Sequence, residues 1–197
     1  MLDVILVIIG YLIGSVSSAI VVCRVMNLGD PRQGGSGNPG ATNVLRLAGK
    51  GPAGITLAGD WFKGTFPVLL AWLATEDPVV ASATGLAAFF GHLFPVYFRF
   101  QGGKGVATGL GVILAWSPLA LLATAVTWLA VAGAFRYSSL AAVVAFAMAP
   151  IYMLWLSASP VLTAATAILT VAIVWRHREN IVRLAAGEEN RIGSSDS

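Results

Sequence analysis

Cysteine is almost absent from this chain. Cys23 stands alone, so no intramolecular disulfide and no cysteine cluster for a metal can form. Its apolar neighbours make it an inert buried thiol. Histidine is nearly as scarce: His92 and His177 are the only two, too few for a zinc site, and no metal ligand set is expected. Charge is scarce as well. Of 197 residues 11% are charged and 57% hydrophobic, with a mean hydropathy of +0.80. That balance excludes a soluble domain and a nucleic-acid partner, and it fits a polytopic membrane protein forming one helical domain over residues 1–197. No repeat of 20–50 residues and no linker divides the chain.

What is present is a series of apolar stretches, at residues 4–22, 53–74, 79–98, 106–116, 119–135, 140–156 and 161–175. Turn signals stand between them at Thr75-Glu76-Asp77-Pro78, Ser117-Pro118 and Ser157-Ala158-Ser159-Pro160. The fourth stretch is short for a span of about 20 residues. It is either a short helix turning at Pro118 or the first part of one long kinked helix to Phe135. The first stretch has no basic residue before it and Val22 ahead of Cys23, so it reads as a retained helix rather than a cleaved signal.

The basic residues set the sidedness. With seven spans, all twelve Lys and Arg fall on or near one face, while the opposite loops hold Glu76 and Asp77 and no cation. Six spans would carry Arg136 and the tail arginines outside. An all-α integral membrane protein with seven transmembrane helices is therefore expected, N-terminus outside and C-terminus cytoplasmic. Lys63 lies within the second stretch, where Asp60, three residues earlier on the same helical face, would lower its cost. Trp61, Trp116, Trp155 and Trp175 near helix ends fit an interfacial belt. The end Gly193-Ser194-Ser195-Asp196-Ser197 reads as frayed.

Three polar runs fall on the cytoplasmic side of that topology, where they can converge. The first carries Ser36, Asn38, Thr42 and Asn43 among four glycines, then Arg46. A simple turn needs only a few residues, and this polar connection runs for about 28, which favours a ligand-binding loop. The second is Arg99-Phe100-Gln101-Gly102-Gly103-Lys104-Gly105, entering the fourth helix. Bare backbone and a cation at a helix N-terminus suit phosphate. It is not a Walker A loop, because Gly105 rather than Ser or Thr follows Lys104. The third is the tail from Arg176 to Arg191, where His177, Asn180 and Arg183 recur at helical spacing; such a helix binds a substrate or sits on anionic lipid. His92 is expected to make a structural hydrogen bond, and Ser139 to cap the sixth helix or to face a ligand.

No G-x-S-x-G elbow marks a serine hydrolase. Neither histidine has an aspartate five residues on, as common glycerolipid acyltransferases do, and the aspartate array of CDP-alcohol phosphotransferases is missing. Instead the chain resembles the PlsY family of bacterial membrane acyl-phosphate:glycerol-3-phosphate acyltransferases. The likeness rests on Gly35-Ser36-Gly37-Asn38-Pro39-Gly40-Ala41-Thr42-Asn43 with Arg46, on Gly91-His92-Leu93-Phe94-Pro95 leading to Phe100-Gln101-Gly102-Gly103-Lys104-Gly105, and on His177-Arg178-Glu179-Asn180-Ile181-Val182-Arg183 with Gly187 and Glu189. Asp60-Trp61-Phe62-Lys63-Gly64 and Arg136-Tyr137-Ser138-Ser139-Leu140 also look like family segments, and Ser139 is favoured over Ser138 as the family serine.

The resemblance implies acyl transfer from acyl phosphate to the 1-hydroxyl of glycerol 3-phosphate, giving lysophosphatidic acid and inorganic phosphate. It implies no cofactor, a cytoplasmic face of the bacterial inner membrane, and a soluble enzyme supplying the acyl phosphate. An acyl phosphate has a good leaving group, so direct attack by the substrate hydroxyl needs no acyl-enzyme. On that reading Lys104, His177, Ser36 and Arg46 are catalytic. Asn38, Thr42, Asn43, Gly102, Gly103, Ser139 and Asn180 bind substrate. Either His177 or a substrate phosphate oxygen takes the proton. A transporter of a phosphorylated metabolite would show paired repeats and polar residues near the midplane, which this chain lacks.

Overall fold

Backbone polar groups in lipid must be satisfied within the segment, so apolar stretches of this length become helices. In the computed structural model, which describes residues 1–193, each of the seven stretches is mainly helical. The serines and aspartate expected to fray at 194–197 lie outside the described residues. The helices are α1 (Leu2–Gly14), α2 (Ser18–Val25), α3 (Ala41–Ala48), α4 (Lys50–Thr75), α5 (Pro78–Leu93), α6 (Val106–Trp116), α7 (Pro118–Phe135), α8 (Ser138–Ser157), α9 (Pro160–Arg176) and α10 (Arg178–Ala186), with a short 3-10 turn at Val96–Phe98. No strand occurs among the described residues. The helices α5 with its 3-10 extension, α7 and α8 are long and apolar enough to cross a membrane, and counting the bent pairs α1–α2 and α9–α10 as single spans raises three to five.

The turn signals act as expected. Asp77 Oδ1 accepts from Val79 N at 2.7 Å, Ser117 Oγ from Ala120 N at 3.2 Å, and Ser159 Oγ from Leu162 N at 3.4 Å. Each cap is followed by a proline at the first helical position, where a missing N–H costs nothing. Ser117 thus ends the fourth stretch: α6 stops at Trp116 and a separate helix begins at Pro118, so the long kinked helix is not formed.

The chain divides into two compact units, Met1–Trp116 and the part from Ser117 onward. In the first unit, helices meet through small residues. Side chains at Gly10 or Gly14 on α1 would collide with Thr84 or Ala88 on α5, and one at Gly64 on α4 would strike the Thr108 carbonyl on α6. Such notches let helix backbones approach where lipid offers no hydrophobic drive between helices. Hydroxyls and ring N–H groups then bond across: Tyr11 Oη donates to Phe94 O at 2.8 Å, and Thr65 Oγ1 to Gly111 O at 2.8 Å. In the second unit the hydroxyls of Thr127 and Tyr152 join α7 to α8 at 2.8 Å, and Thr170 Oγ1 on α9 donates to Phe146 O on α8 at 2.7 Å.

Three expectations are corrected. The first stretch is not one helix: it breaks over Ser15–Ser17 and bends by 46°. The break frees the Val16 carbonyl, which accepts from Lys63 Nζ at 2.7 Å. Trp116 is not interfacial but buried, with its indole N–H donating to Ala81 O at 3.2 Å. Ser139 is not a cap: α8 begins one residue earlier with Tyr137 as its N-cap, and the Ser139 hydroxyl serves another partner described below.

Candidate functional site

In the first unit the loop before α3 is folded by its own side chains. Arg32 grips the Asp30 carboxylate, Nη2 to Oδ2 at 2.7 Å and Nε to Oδ1 at 3.0 Å. The Arg32 hydrogen bond holds the Asp30 carboxyl below its ordinary value, against the opposing effect of burial. An acid at the loop mouth is thereby neutralised rather than left to repel an anion. Asn43, fully buried, is spent on the same loop. Its Oδ1 accepts from Ser36 N at 2.9 Å, and its Nδ2 donates to Pro31 O at 2.7 Å and Gly34 O at 3.1 Å. Gly35 passes beneath it at φ +57°, a conformation and a closeness that exclude a side chain.

That fold leaves Ser36 exposed at a tight turn, closed by Gly37 N donating to Gly34 O at 3.0 Å. Asn38 is half-buried. Thr42 and Arg46, four residues apart on α3, are exposed on one face. The short helix α3 carrying Thr42, Asn43 and Arg46 was not foreseen, because eight residues give too short a period to read.

The second run lies on the end of α5. Gly103 N donates to His92 O at 3.2 Å, and a side chain at Gly102 would collide with the carbonyls of His92 and Leu93. Gly105, at φ +86°, faces Phe89 and Leu93. These glycines are therefore demanded by close packing as well as by any ligand. The first two runs abut: a Cβ on Gly103 would stand 3.2 Å from Pro39 O, and Arg32 Nη1 lies 3.5 Å from Gln101 Oε1. Lys104 is half-buried, two residues before the start of α6. The helix α4 holds a buried ion pair, Lys63 Nζ to Asp60 Oδ1 at 2.8 Å, as its spacing suggested.

In the second unit the third run forms its own short helix, α10, with His177 as its N-cap and Asn180 and Arg183 following at helical spacing. His177 ends α9 and opens α10, with a 54° change of direction. Its ring is buried, and Nδ1 lies 2.8 Å from Ile173 O. A carbonyl only accepts, so Nδ1 carries a proton in this contact.

Glu189, part of the motif but not among the expected ligands, gathers this region. Its Oε1 accepts from Ser139 Oγ and from Asn180 Nδ2, each at 2.7 Å, and its Oε2 from Arg183 Nε at 2.8 Å. Burial pushes the carboxyl up, but these three donors together hold it below the ordinary carboxylate value. The local cause is Gly187 in the left-handed region at φ +75°, which ends α10. Glu188 N donates to Arg183 O at 2.8 Å and Gly187 N to Leu184 O at 3.2 Å, a Schellman turn that folds Glu189 back on its own helix. Gly187 after a helical run was the available signal. Among the described residues no cluster of His, Cys, Asp or Glu could hold a metal ion.

A family model described as glycerol-3-phosphate acyltransferase matches residues 4–187. The chain belongs to this family. A glycerol-3-phosphate acyltransferase of Halorhodospira halophila is 94% identical over the whole of both chains. One from Thioalkalivibrio sulfidiphilus is 57% identical, covering 93% of this chain and 91% of the relative. A crystal structure of PlsY, an integral membrane glycerol 3-phosphate acyltransferase in its glycerol 3-phosphate form, is 39% identical with a TM-score of 0.94, covering 98% of this chain and 96% of that one. The lysophosphatidic acid form superposes with a TM-score of 0.92 at 38% identity over the same shares of both chains. Family membership makes this an all-helical, integral-membrane acyltransferase of phospholipid synthesis, and the PlsY motifs noted in the sequence belong to it.

Proposed function

We propose that the enzyme transfers a fatty acyl group from acyl phosphate to the 1-hydroxyl of glycerol 3-phosphate, releasing lysophosphatidic acid and inorganic phosphate with no acyl-enzyme. The supporting observation is the meeting of the first two runs at Pro39 and Gly103, which brings the loop bearing Ser36 against the loop bearing Lys104. A mixed anhydride needs charge neutralisation of its leaving phosphate more than it needs a protein nucleophile. Lys104 with the amides of Gly102 and Gly103 takes the acyl phosphate, while Ser36, Arg46, Asn38 and Thr42 line the phosphate surface and Asn43 shapes it. His177 and Asn180 orient glycerol 3-phosphate, with Ser139 supporting them. His177 Nε2 is the candidate base. Residues 1–197 act as one catalytic domain.

The same reading places the enzyme in the bacterial inner membrane with seven spans, adding α4 and α6 to the five, with the N-terminus outside and the active site cytoplasmic. Its support is the one-sided distribution of Lys and Arg. That basic face suits anionic lipid and a soluble enzyme that delivers acyl phosphate.

The test is phosphate release from palmitoyl phosphate by purified protein, with and without glycerol 3-phosphate, beside palmitoyl-CoA and a Lys104→Ala control. Release that requires glycerol 3-phosphate, yields lysophosphatidic acid and vanishes in the variant is expected. Turnover of palmitoyl-CoA alone would overturn the donor assignment.

A further inference from the structure

Asp60, Lys63 and His92 are 2%, 4% and 6% exposed, so none of them can touch a substrate. Yet His92 adjoins the loop that carries Lys104, and Asp60 and Lys63 stand behind it. Lys63 Nζ spends a hydrogen bond on Val16 O at 2.7 Å, at the break between α1 and α2, and stands 2.8 Å from Asp60 Oδ1. His92 Nδ1 faces the same carboxylate oxygen from α5, 3.7 Å away, so ammonium and imidazole share Asp60 Oδ1. The other edge of the imidazole reaches the glycine loop: a methyl at Gly103 would overlap His92 Nε2, and the His92 carbonyl takes the Gly103 amide at 3.2 Å. Ring and backbone of one residue thus support one glycine from two sides.

The geometry points to Asp60 and His92 as positioning residues for the Lys104 loop, with Lys63 balancing the Asp60 charge and tying the group to the α1–α2 break. Asp60 orients the ring, and the ring and carbonyl of His92 set where Gly103 lies. Gly103 in turn sets the backbone of Lys104. A buried carboxylate beside a buried ammonium stabilises a fold little more than apolar packing would, which leaves orientation as its use. The inference rests on the functional reading above only in calling Lys104 catalytic.

Hydrogen exchange of the amides at 102–105, measured on detergent-purified protein, tests it without activity. Asp60→Asn, His92→Gln and His92→Ala are expected to speed exchange there by about tenfold or more while the remaining helices keep their protection. In the phosphate-release assay the same variants should raise KM for a phosphate substrate more than they lower kcat. A size swap adds a readout that general destabilisation would not produce. Gly103→Ala alone should lose about a hundredfold or more in turnover, and adding His92→Ala, which vacates the space the methyl needs, should recover about tenfold of it. Unchanged exchange at 102–105 in both Asp60→Asn and His92→Gln overturns the inference. So does protection lost throughout the protein in both, or a double variant no better than Gly103→Ala. If wild-type protein does not use palmitoyl phosphate, the donor assignment falls while the exchange and folding results still decide the relay.

Discussion

Asn180 donates its amide nitrogen to Glu189 at 2.7 Å, and since a carboxylate only accepts, this bond fixes which end of the amide is which. The Asn180 carbonyl, an acceptor, is then the end turned away from Glu189. Glu189 also holds the Ser139 hydroxyl through its proton, so one carboxylate sets the polarity of two expected ligands.

Glu189→Gln should therefore disturb more than it removes. A carboxamide cannot take three donors as a carboxylate does, and one of its ends would present N–H to N–H. The expected loss is about 1–3 kcal/mol of stability, mostly from the bonds to Ser139 and Asn180. The Arg183 side chain is 40% exposed, so solvent screening leaves its ion pair a minor part. Thermal unfolding of the purified protein reads the loss, and KM for glycerol 3-phosphate should rise with it.

The same carboxylate predicts an acid limb. Its folded-state value lies below its ordinary 4.5, so ionisation favours the folded state. The contribution is complete above the unfolded-state value and is lost as pH falls through the folded one. Melting temperature should hold from neutral pH to about 5 and drop below it, with a shallower drop in Glu189→Gln. Equal slopes in the two proteins would assign the acid limb elsewhere.

Asn43→Ala removes three hydrogen bonds, one buried and two partly buried, from the loop before α3. It should cost about 2–3 kcal/mol, since the Ser36 amide and two carbonyls lose their partner. Limited proteolysis between residues 30 and 46 should become faster than in wild type. Asn43→Asp keeps the Ser36 bond but loses both donors, so it should fall between the two.

His177→Ala and His177→Gln separate two routes for the proton. Nδ1 lies 2.8 Å from Ile173 O, so a proton taken up by the ring in the proposed mechanism goes to Nε2. Both variants should lower kcat by about a hundredfold or more with KM little changed. A rise in KM with kcat preserved would assign the proton to a substrate phosphate oxygen instead.

Helix type and the starts at Asp77-Pro78, Ser117-Pro118 and Ser159-Pro160 were legible in the chain, because apolar runs leave the backbone no other way to satisfy itself in lipid, whereas helix number was not: the first stretch breaks in two and α3 is too short to read. The Asp60–Lys63 pair was legible because spacing of three on a helix is a distance. The polar runs also stood out, as polarity that an oily chain does not need for folding.

The sequence by itself determined the class of protein and the residue types available for phosphate, since both follow from local composition and period. Only the tertiary structure decided which glycines serve packing, that Asn43 is consumed by its own loop, and that His92 reaches Gly103 from another helix. It also decided that Glu189 returns to Ser139, fifty residues away in the chain. These are contacts between residues with no fixed separation in sequence. Helical period encodes neighbours three or four residues apart, whereas a contact made by close backbone approach or by a left-handed turn exists only once the helices have packed.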